Sequence, residues 1–236
     1  MITTVLFDLD GTLLPMDQDR FIGAYMKGLA MTAAPLGYEP KSFGESVTQG
    51  TIAMIKNKGE RTNETVFWDT LTGIYGEKIQ GQTHIFDEFY RTEFQNIRSV
   101  CGYTPKSAEL LRWVKQLGFR VALATSPLFP KIATESRIRW AGLAPEDFEL
   151  FTTFEDYHYC KPNIHYYEEV CAALKVRPEE CLMVGNDARE DLVAEELGMK
   201  VFLLTDCLIN RKNIDFSAYP HGSFAELTAY IQSLRP

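Results

Sequence analysis

The stretch LFDLDGTLL, residues 6–14, places two aspartates, Asp8 and Asp10, directly after an apolar run. The residues leading into it, ITTVLF at 2–7, are β-rich and mostly apolar, and Gly11 supplies a turn signal. The segment therefore reads as a short buried strand that runs out into two acids. Asp-x-Asp-Gly is also ordinary turn chemistry. Average residue usage makes Asp-x-Asp-Gly-Thr a chance event at only ~1 in 10⁵ positions, so a turn alone is a weak explanation. The rest of the chain decides whether these acids mark a bend or a reaction.

The chain has 236 residues, of which 45% are hydrophobic and 24% charged, with no low-complexity tract. That composition belongs to a soluble globular protein with a substantial core. A net charge of −8 argues against a nucleic-acid partner, which would call for a basic face. No apolar run approaches ~18 residues, so no membrane span is expected. The N-terminus MITTVLFDLDG has no basic leader region and carries acids in its apolar segment, unlike a signal peptide. Five cysteines (Cys101, Cys160, Cys171, Cys181 and Cys207) are scattered without a C-x-x-C pair, and the four histidines do not cluster with them. Reduced thiols and a cytoplasmic location are expected, rather than a disulfide framework or a zinc site.

Residues 17–100 lose all strand character. Helices are expected near 17–34, 40–56, 62–75 and 83–98, separated by Pro35-Leu36-Gly37, Asn57-Lys58-Gly59 and the segment from Gly76 to Gly81. From Thr104-Pro105 the rhythm changes. SAELLRWVKQL reads as a helix ended by Gly118, FRVALAT (119–125) as a strand, and KIATESRIRWAGL (131–143) as a helix. FELFTTF (148–154) is a plausible strand, and Pro162 opens a helix to about Leu174. ECLMVGN (180–186), DAREDLVAEELG (187–198) and KVFLLT (200–205) follow as strand, helix and strand, and SFAELTAYIQSL closes the chain as a helix. Such alternation builds a parallel sheet with helices on both faces, and the first strand must join it. The expected fold is α/β, a Rossmann-like core of residues 1–16 and 101–236 with an inserted α-helical cap of residues 17–100.

In an open parallel sheet ligands bind outside the carboxyl ends of the strands. The polar residues of interest fall there: Asp8 and Asp10 after the first strand, Thr125 at the end of the second, Lys161 after the third, Asp187 and Asp191 after the fourth. Alone, each has a structural reading. Thr125 is an ordinary strand-end threonine, Lys161 a solvated lysine before a proline, Asp187 a helix cap, and Asp191 a first-turn acid. Together, in chain order, they make an acid pair, a hydroxyl, a lysine and a second acid pair. This pattern resembles the haloacid dehalogenase superfamily of phosphohydrolases, over the whole chain and including the helical insertion, which is similar to the C1 cap of that superfamily.

The resemblance implies a Mg2+-dependent phosphohydrolase acting on a small phosphorylated metabolite. It makes Asp8 the nucleophile of an aspartyl-phosphate route and Asp10 the general acid and base. It implies a Mg2+ ion held by the carboxylates of Asp8 and Asp187 and the backbone carbonyl of Asp10, with Asp191 supporting the metal shell from behind. Lys161 would add positive charge, and Thr125 or Ser126 would hydrogen-bond the transferring group. Gly11 and Thr12 complete the phosphate-side loop. Two positions depart from the common pattern: Ser126 stands where many relatives carry asparagine, and Asn186-Asp187 replaces Gly-Asp.

Other readings stay open at this point. A sugar phosphomutase uses the same core, and a phosphonate hydrolase adds a cap lysine, for which Lys27, Lys41, Lys56 and Lys58 are available. A noncatalytic phosphate-binding or regulatory protein on this fold would not require the full set of acids. The dehalogenases of the superfamily lack the second acid that Asp10 supplies here. In the cap, Arg20, Lys56, Lys58 and Arg61 are candidates to read a second anionic group, and Phe21, Tyr25 and Phe67 to line an apolar wall. Monomer and homodimer are equally compatible with the sequence.

Overall fold

The computed structural model describes residues 1–234. Its centre is a five-stranded sheet: β1 (Thr4–Phe7), β2 (Arg120–Leu123), β3 (Cys181–Gly185), β4 (Lys200–Leu204) and the short β5 (His221–Gly222), in the order β2-β1-β3-β4-β5. All neighbouring pairs are parallel. Every residue of β1 and of β3 is buried, as expected of strands covered on both faces. The register sets Phe7 opposite Leu123 on one side and Val184 on the other. The residues that follow these three strands therefore leave the sheet at one level.

Side chains alternate between the two faces. Val5, Phe7, Val121, Leu123, Leu182 and Val184 point to one side, against α5 (Pro105–Gln116) and α8 (Phe224–Ser233). Leu6, Ala122, Met183, Val201 and Leu203 point to the other, against α7 (Ile164–Leu174) and a 3-10 segment over Leu192–Leu197. On the first side the apolar cluster does not stop at the sheet. It continues through α6 (Lys131–Trp140) into the helices inserted after β1.

Those helices are α1 (Gln18–Ala33), α2 (Pro40–Ile55), α3 (Asn63–Tyr75) and α4 (Thr83–Arg91). Their starts have local causes: Asp17, Glu39 and Thr62 each accept hydrogen bonds from backbone N–H groups of the first turn. Aromatic rings join the block to the rest of the molecule. Phe94 stacks on Trp140 of α6 at 5.0 Å, and Tyr25 of α1 meets Phe129 edge-on at 5.1 Å. Among the described residues no helix is long and apolar enough to cross a membrane.

Four expected elements differ in the structure. The helix expected over 83–98 ends at Arg91, because Gln95 Nε2 donates to the Tyr90 carbonyl at 2.7 Å and occupies an acceptor the next turn needs. A 3-10 helix, Glu93–Val100, follows. FELFTTF does run beside β2, with Glu149 N–H to Val121 O, Leu123 N–H to Leu150 O and Thr152 N–H to Leu123 O. Only Phe151 comes into register, opposite Leu123, because the Thr152 hydroxyl turns to the Thr125 carbonyl, so no strand forms. The helix after Lys161 starts at Ile164 with Asn163, not Pro162, at its cap. DAREDLVAEELG is not an α-helix either: Asp187 and Asp191 bend its first half around the strand ends, and only Leu192–Leu197 is regular.

Candidate active site

Asp8 follows β1, an interior strand, and its backbone N–H donates to Val184 O of β3 at 2.8 Å, which extends the ladder by one residue and fixes its carboxylate above the sheet. Lys161 reaches the same point from the loop before α7. Its Nζ donates to Asp8 Oδ1 at 3.0 Å and to Asp191 Oδ1 at 2.7 Å. Lys161 is only 2% exposed. Burial works against its charge, yet Asp191 and Asp8 outweigh it and hold the ammonium well above the usual lysine range. Burial pushes Asp8 in the opposite sense, up to about 7, with Lys161 opposing and Asp191 and Asp10 adding to the rise. An acid in that state is short of positive charge.

Asp191 has both oxygens committed: Oδ1 to Lys161 and Oδ2 to the Asp187 N–H at 2.9 Å. It braces the site from behind. Gly185 makes this possible, since a Cβ there would collide with the Asp191 carboxylate. Asp187 Oδ1 accepts from the N–H groups of Arg189 and Glu190 at 2.8 and 3.0 Å, which orients its carboxylate. Asp8, Asp10 and Asp187 line one cavity, where the carboxylates of Asp8 and Asp187 and the carbonyl of Asp10 could supply an all-oxygen donor set of the kind hard divalent cations take. Among the described residues no cluster of three or more His, Cys, Asp or Glu side chains is arranged to hold a metal. Two carboxylates and one carbonyl suit an ion that keeps several waters.

Asp10 is held in a way the sequence reading did not foresee. Arg137, 1% exposed on α6, pairs with Asp10 Oδ2 and lies over the Phe129 ring at 4.3 Å. Asp10 Oδ1 is buried without a hydrogen-bond partner. Burial raises the proton affinity of Asp10, and Arg137 opposes the rise. A signal for Arg137 does exist: Ala133, Thr134, Arg137 and Ile138 share the buried stripe of α6, so a cation stands where an apolar side chain is due.

Asp8, Asp10, Thr125, Ser126, Asp187 and Glu190 line a small cavity of about 90 Å³ at the strand ends. Thr125 and Ser126 both face it, and the Ser126 hydroxyl is buried and unpartnered. Glu190 is pushed up to about 8 by burial, against Lys161. Gly11 and Thr12 are not part of the lining. The Thr12 hydroxyl donates to Asn186 Oδ1 at 3.0 Å and lies 3.4 Å from Asp8 Oδ2. Gly11 has φ +85°, and a Cβ there would strike the Asn186 side chain. The Thr12 hydroxyl thus bridges Asp8 and Asn186, and the Asn186 side chain fills the space beside Gly11. Asn186 is itself anchored by Nδ2 to Cys207 O at 2.8 Å.

A second, larger cavity of about 350 Å³ opens between α1–α4 and the segments after β2, and Ile22, Leu128 and Phe129 border both spaces. Tyr25 and Phe67 line it, while Phe21 lines the smaller one. Arg20, Lys56, Lys58 and Arg61 line neither. Arg61 instead pairs with Asp69 on the surface.

Residues 2–198 match the model of the haloacid dehalogenase-like hydrolases, and the chain belongs to that family. Among curated proteins it is 23% identical to the pyrophosphatase PpaX of Bacillus cereus, over 91% of this chain and 88% of the relative. Among solved structures it resembles a HAD phosphatase from Thermococcus onnurineus (TM-score 0.58, 18% identity, all of both chains). It also resembles a predicted phosphoglycolate phosphatase from Haemophilus somnus (0.59, 16%, 97% of each). CbbY of Rhodobacter sphaeroides, solved in complex with phosphate, is similar at TM-score 0.57 and 20% identity over 96% of each chain. At these identities the structural likenesses speak for the fold.

Proposed function

We propose that this haloacid dehalogenase-like hydrolase is a Mg2+-dependent phosphatase that cleaves a small phosphate monoester through an aspartyl-phosphate on Asp8. One observation supports this most directly: a buried carboxylate at the end of β1, gripped by Lys161 at 3.0 Å, with Asp10 two residues on at the wall of the same cavity. Nothing in the packing of a sheet calls for such a concentration of buried charge. The phosphatase and pyrophosphatase names of its relatives agree with the reading. The core of residues 1–16 and 101–236 would carry the chemistry, with residues 17–100 as its cap.

Asp8 attacks phosphorus with the oxygen not committed to Lys161. The ester P–O bond breaks, and Asp10 gives a proton to the departing alkoxide. Arg137 engages Oδ2, which leaves Oδ1 to carry that proton. Asp10 then takes a proton from water, whose oxygen attacks the acyl phosphate and frees inorganic phosphate. Lys161 stays charged throughout and offsets the negative charge gathered around the phosphoryl group, while Thr125 and Ser126 donate to its oxygens. Mg2+, held by Asp8, Asp187 and the Asp10 carbonyl, would supply Lewis-acid polarisation of a phosphoryl oxygen.

The presence of Asp10 sets the chain apart from the dehalogenase chemistry, and no lysine of residues 17–100 lines either cavity, which disfavours the imine route to phosphonates. Release of inorganic phosphate from p-nitrophenyl phosphate tests the reading. Turnover with Mg2+, its loss on chelation, and its absence in Asp8→Asn are expected. Full activity in Asp8→Asn would overturn the mechanism, and conversion of a supplied sugar phosphate into its isomer, in place of release of free phosphate, would make the enzyme a mutase.

A further inference from the structure

The larger cavity has a chemistry of its own. At about 350 Å³ it lies within the size range of small-molecule sites. Its wall is largely apolar and rich in rings, with Tyr25, Phe67, Trp68, Phe86 and Tyr90 among them. The charged residues that line it are Glu64, Asp87 and Glu155, and no lysine or arginine joins them among the described residues. Glu155 is already engaged, accepting from the Lys131 N–H at the start of α6 at 2.8 and 3.0 Å. Burial raises the proton affinity of Glu64, and Glu155 and Asp87 raise it further.

The position of the cavity matters as much as its lining. It meets the catalytic space across Ile22, Leu128 and Phe129, so a phosphate ester seated at Asp8 would extend its alcohol portion into it. A substrate with a second anion, such as pyrophosphate or phosphoglycolate, would push that anion toward rings and carboxylates with no cation to receive it. Such an arrangement selects by repulsion as well as by fit.

We propose that the cavity receives the leaving group of the substrate, and that this group is a bulky apolar alcohol, aromatic or branched, bearing no second anionic group. The inference rests on the phosphatase reading. Hydrolysis then breaks the P–O bond of the ester, delivers the water oxygen to phosphate, and releases the apolar alcohol protonated by Asp10.

The test compares kcat/KM of the full-length enzyme, with Mg2+, for benzyl phosphate, ethyl phosphate, phosphoglycolate and pyrophosphate, alongside p-nitrophenyl phosphate. Benzyl phosphate should exceed phosphoglycolate and pyrophosphate by about tenfold or more, the value of burying one ring. Thr51 borders the cavity. Thr51→Trp, which fills the cavity from its border, should lower the benzyl-to-ethyl ratio by about fivefold or more. Thr48→Trp, from the exposed rim, does the same if the first variant fails to fold. Preference for pyrophosphate or phosphoglycolate would overturn the proposal, as would a benzyl-to-ethyl ratio unmoved by either tryptophan. In both cases turnover of p-nitrophenyl phosphate would leave the phosphatase reading standing. No turnover of any ester, p-nitrophenyl phosphate included, would bring down both.

Discussion

The two cavities that meet at Ile22, Leu128 and Phe129 are built on opposite rules. The smaller one is lined by acids, most held by a partner at or behind the wall: Lys161 between Asp8 and Asp191, Arg137 on Asp10, Asp191 on the Asp187 N–H. The larger one is walled by rings and aliphatic side chains, with acids at its border and, among the described residues, no basic side chain. Charges locked in place suit a reaction whose electrostatics must stand ready before substrate arrives. Apolar walls suit recognition by shape, where one ring more or less shifts affinity and leaves the chemistry alone. Substitutions in the first region should therefore fall on kcat and on folding, and those in the second on KM and on substrate preference.

The sharpest break would come from Asp8. Asp8→Asn keeps the volume and removes the nucleophile, and steady-state turnover of an aryl phosphate should fall ~10⁴-fold or more. Lys161→Met comes next, and its effect reaches stability. Asp8 and Asp191 would lose a shared buried cation, and breaking a buried pair of this kind costs about 3–5 kcal/mol, read from the denaturant midpoint. A Lys161→Met protein as stable as the parent would mean that the charges at the strand ends are not interlocked.

Arg137→Met probes the same region from its far wall. Arg137 acts through Asp10, so it is a positioning residue. Without it, Asp10 keeps its place in the chain and loses the contact that orients its carboxylate. A fall in kcat of ~10²-fold with little change in KM is expected, the scale of one acid–base contribution. Arg137→Lys should recover part of it, since a cation returns without the planar fork. A purely structural role would lower expression and thermal stability and leave kcat of the folded fraction intact.

The same contrast governs what could be read without coordinates. β1 and its two acids were legible because strand, turn and motif are contiguous, and the parallel sheet followed from alternation along the chain. Asp187 and Asp191 were legible as a pair, but the helix drawn through them was not real. Asp191 turns back to Lys161 and the Asp187 N–H, and that tertiary bond outweighs the helical pattern of DAREDLVAEELG. Arg137 stayed hidden because its partner lies 127 positions away, although its place in a buried stripe marked it as odd. The large cavity was the least legible. Tyr25 and Phe67 were candidates for an apolar wall, but which rings face a void and which fill a core depends on how α1–α4 pack. Residues such as Lys56 and Lys58, reasonable readers of an anion in sequence, line neither cavity.

The finest test of the contrast is Asp87→Asn, at the exposed rim of the larger cavity. Asp87 makes no salt bridge among the described residues, so stability should change by less than about 0.5 kcal/mol. Its charge does act on anything entering the cavity. Removing one exposed charge is worth at most ~0.5 kcal/mol, which corresponds to about a twofold fall in KM for phosphoglycolate at low salt, with KM for benzyl phosphate unmoved. Raising the ionic strength toward 1 M shortens the screening length to about 3 Å and should erase the difference between variant and parent. A twofold gain that survives high salt would point to a change of shape at the rim, and an equal gain for both esters would show that Asp87 does not discriminate against a second anion in the larger cavity.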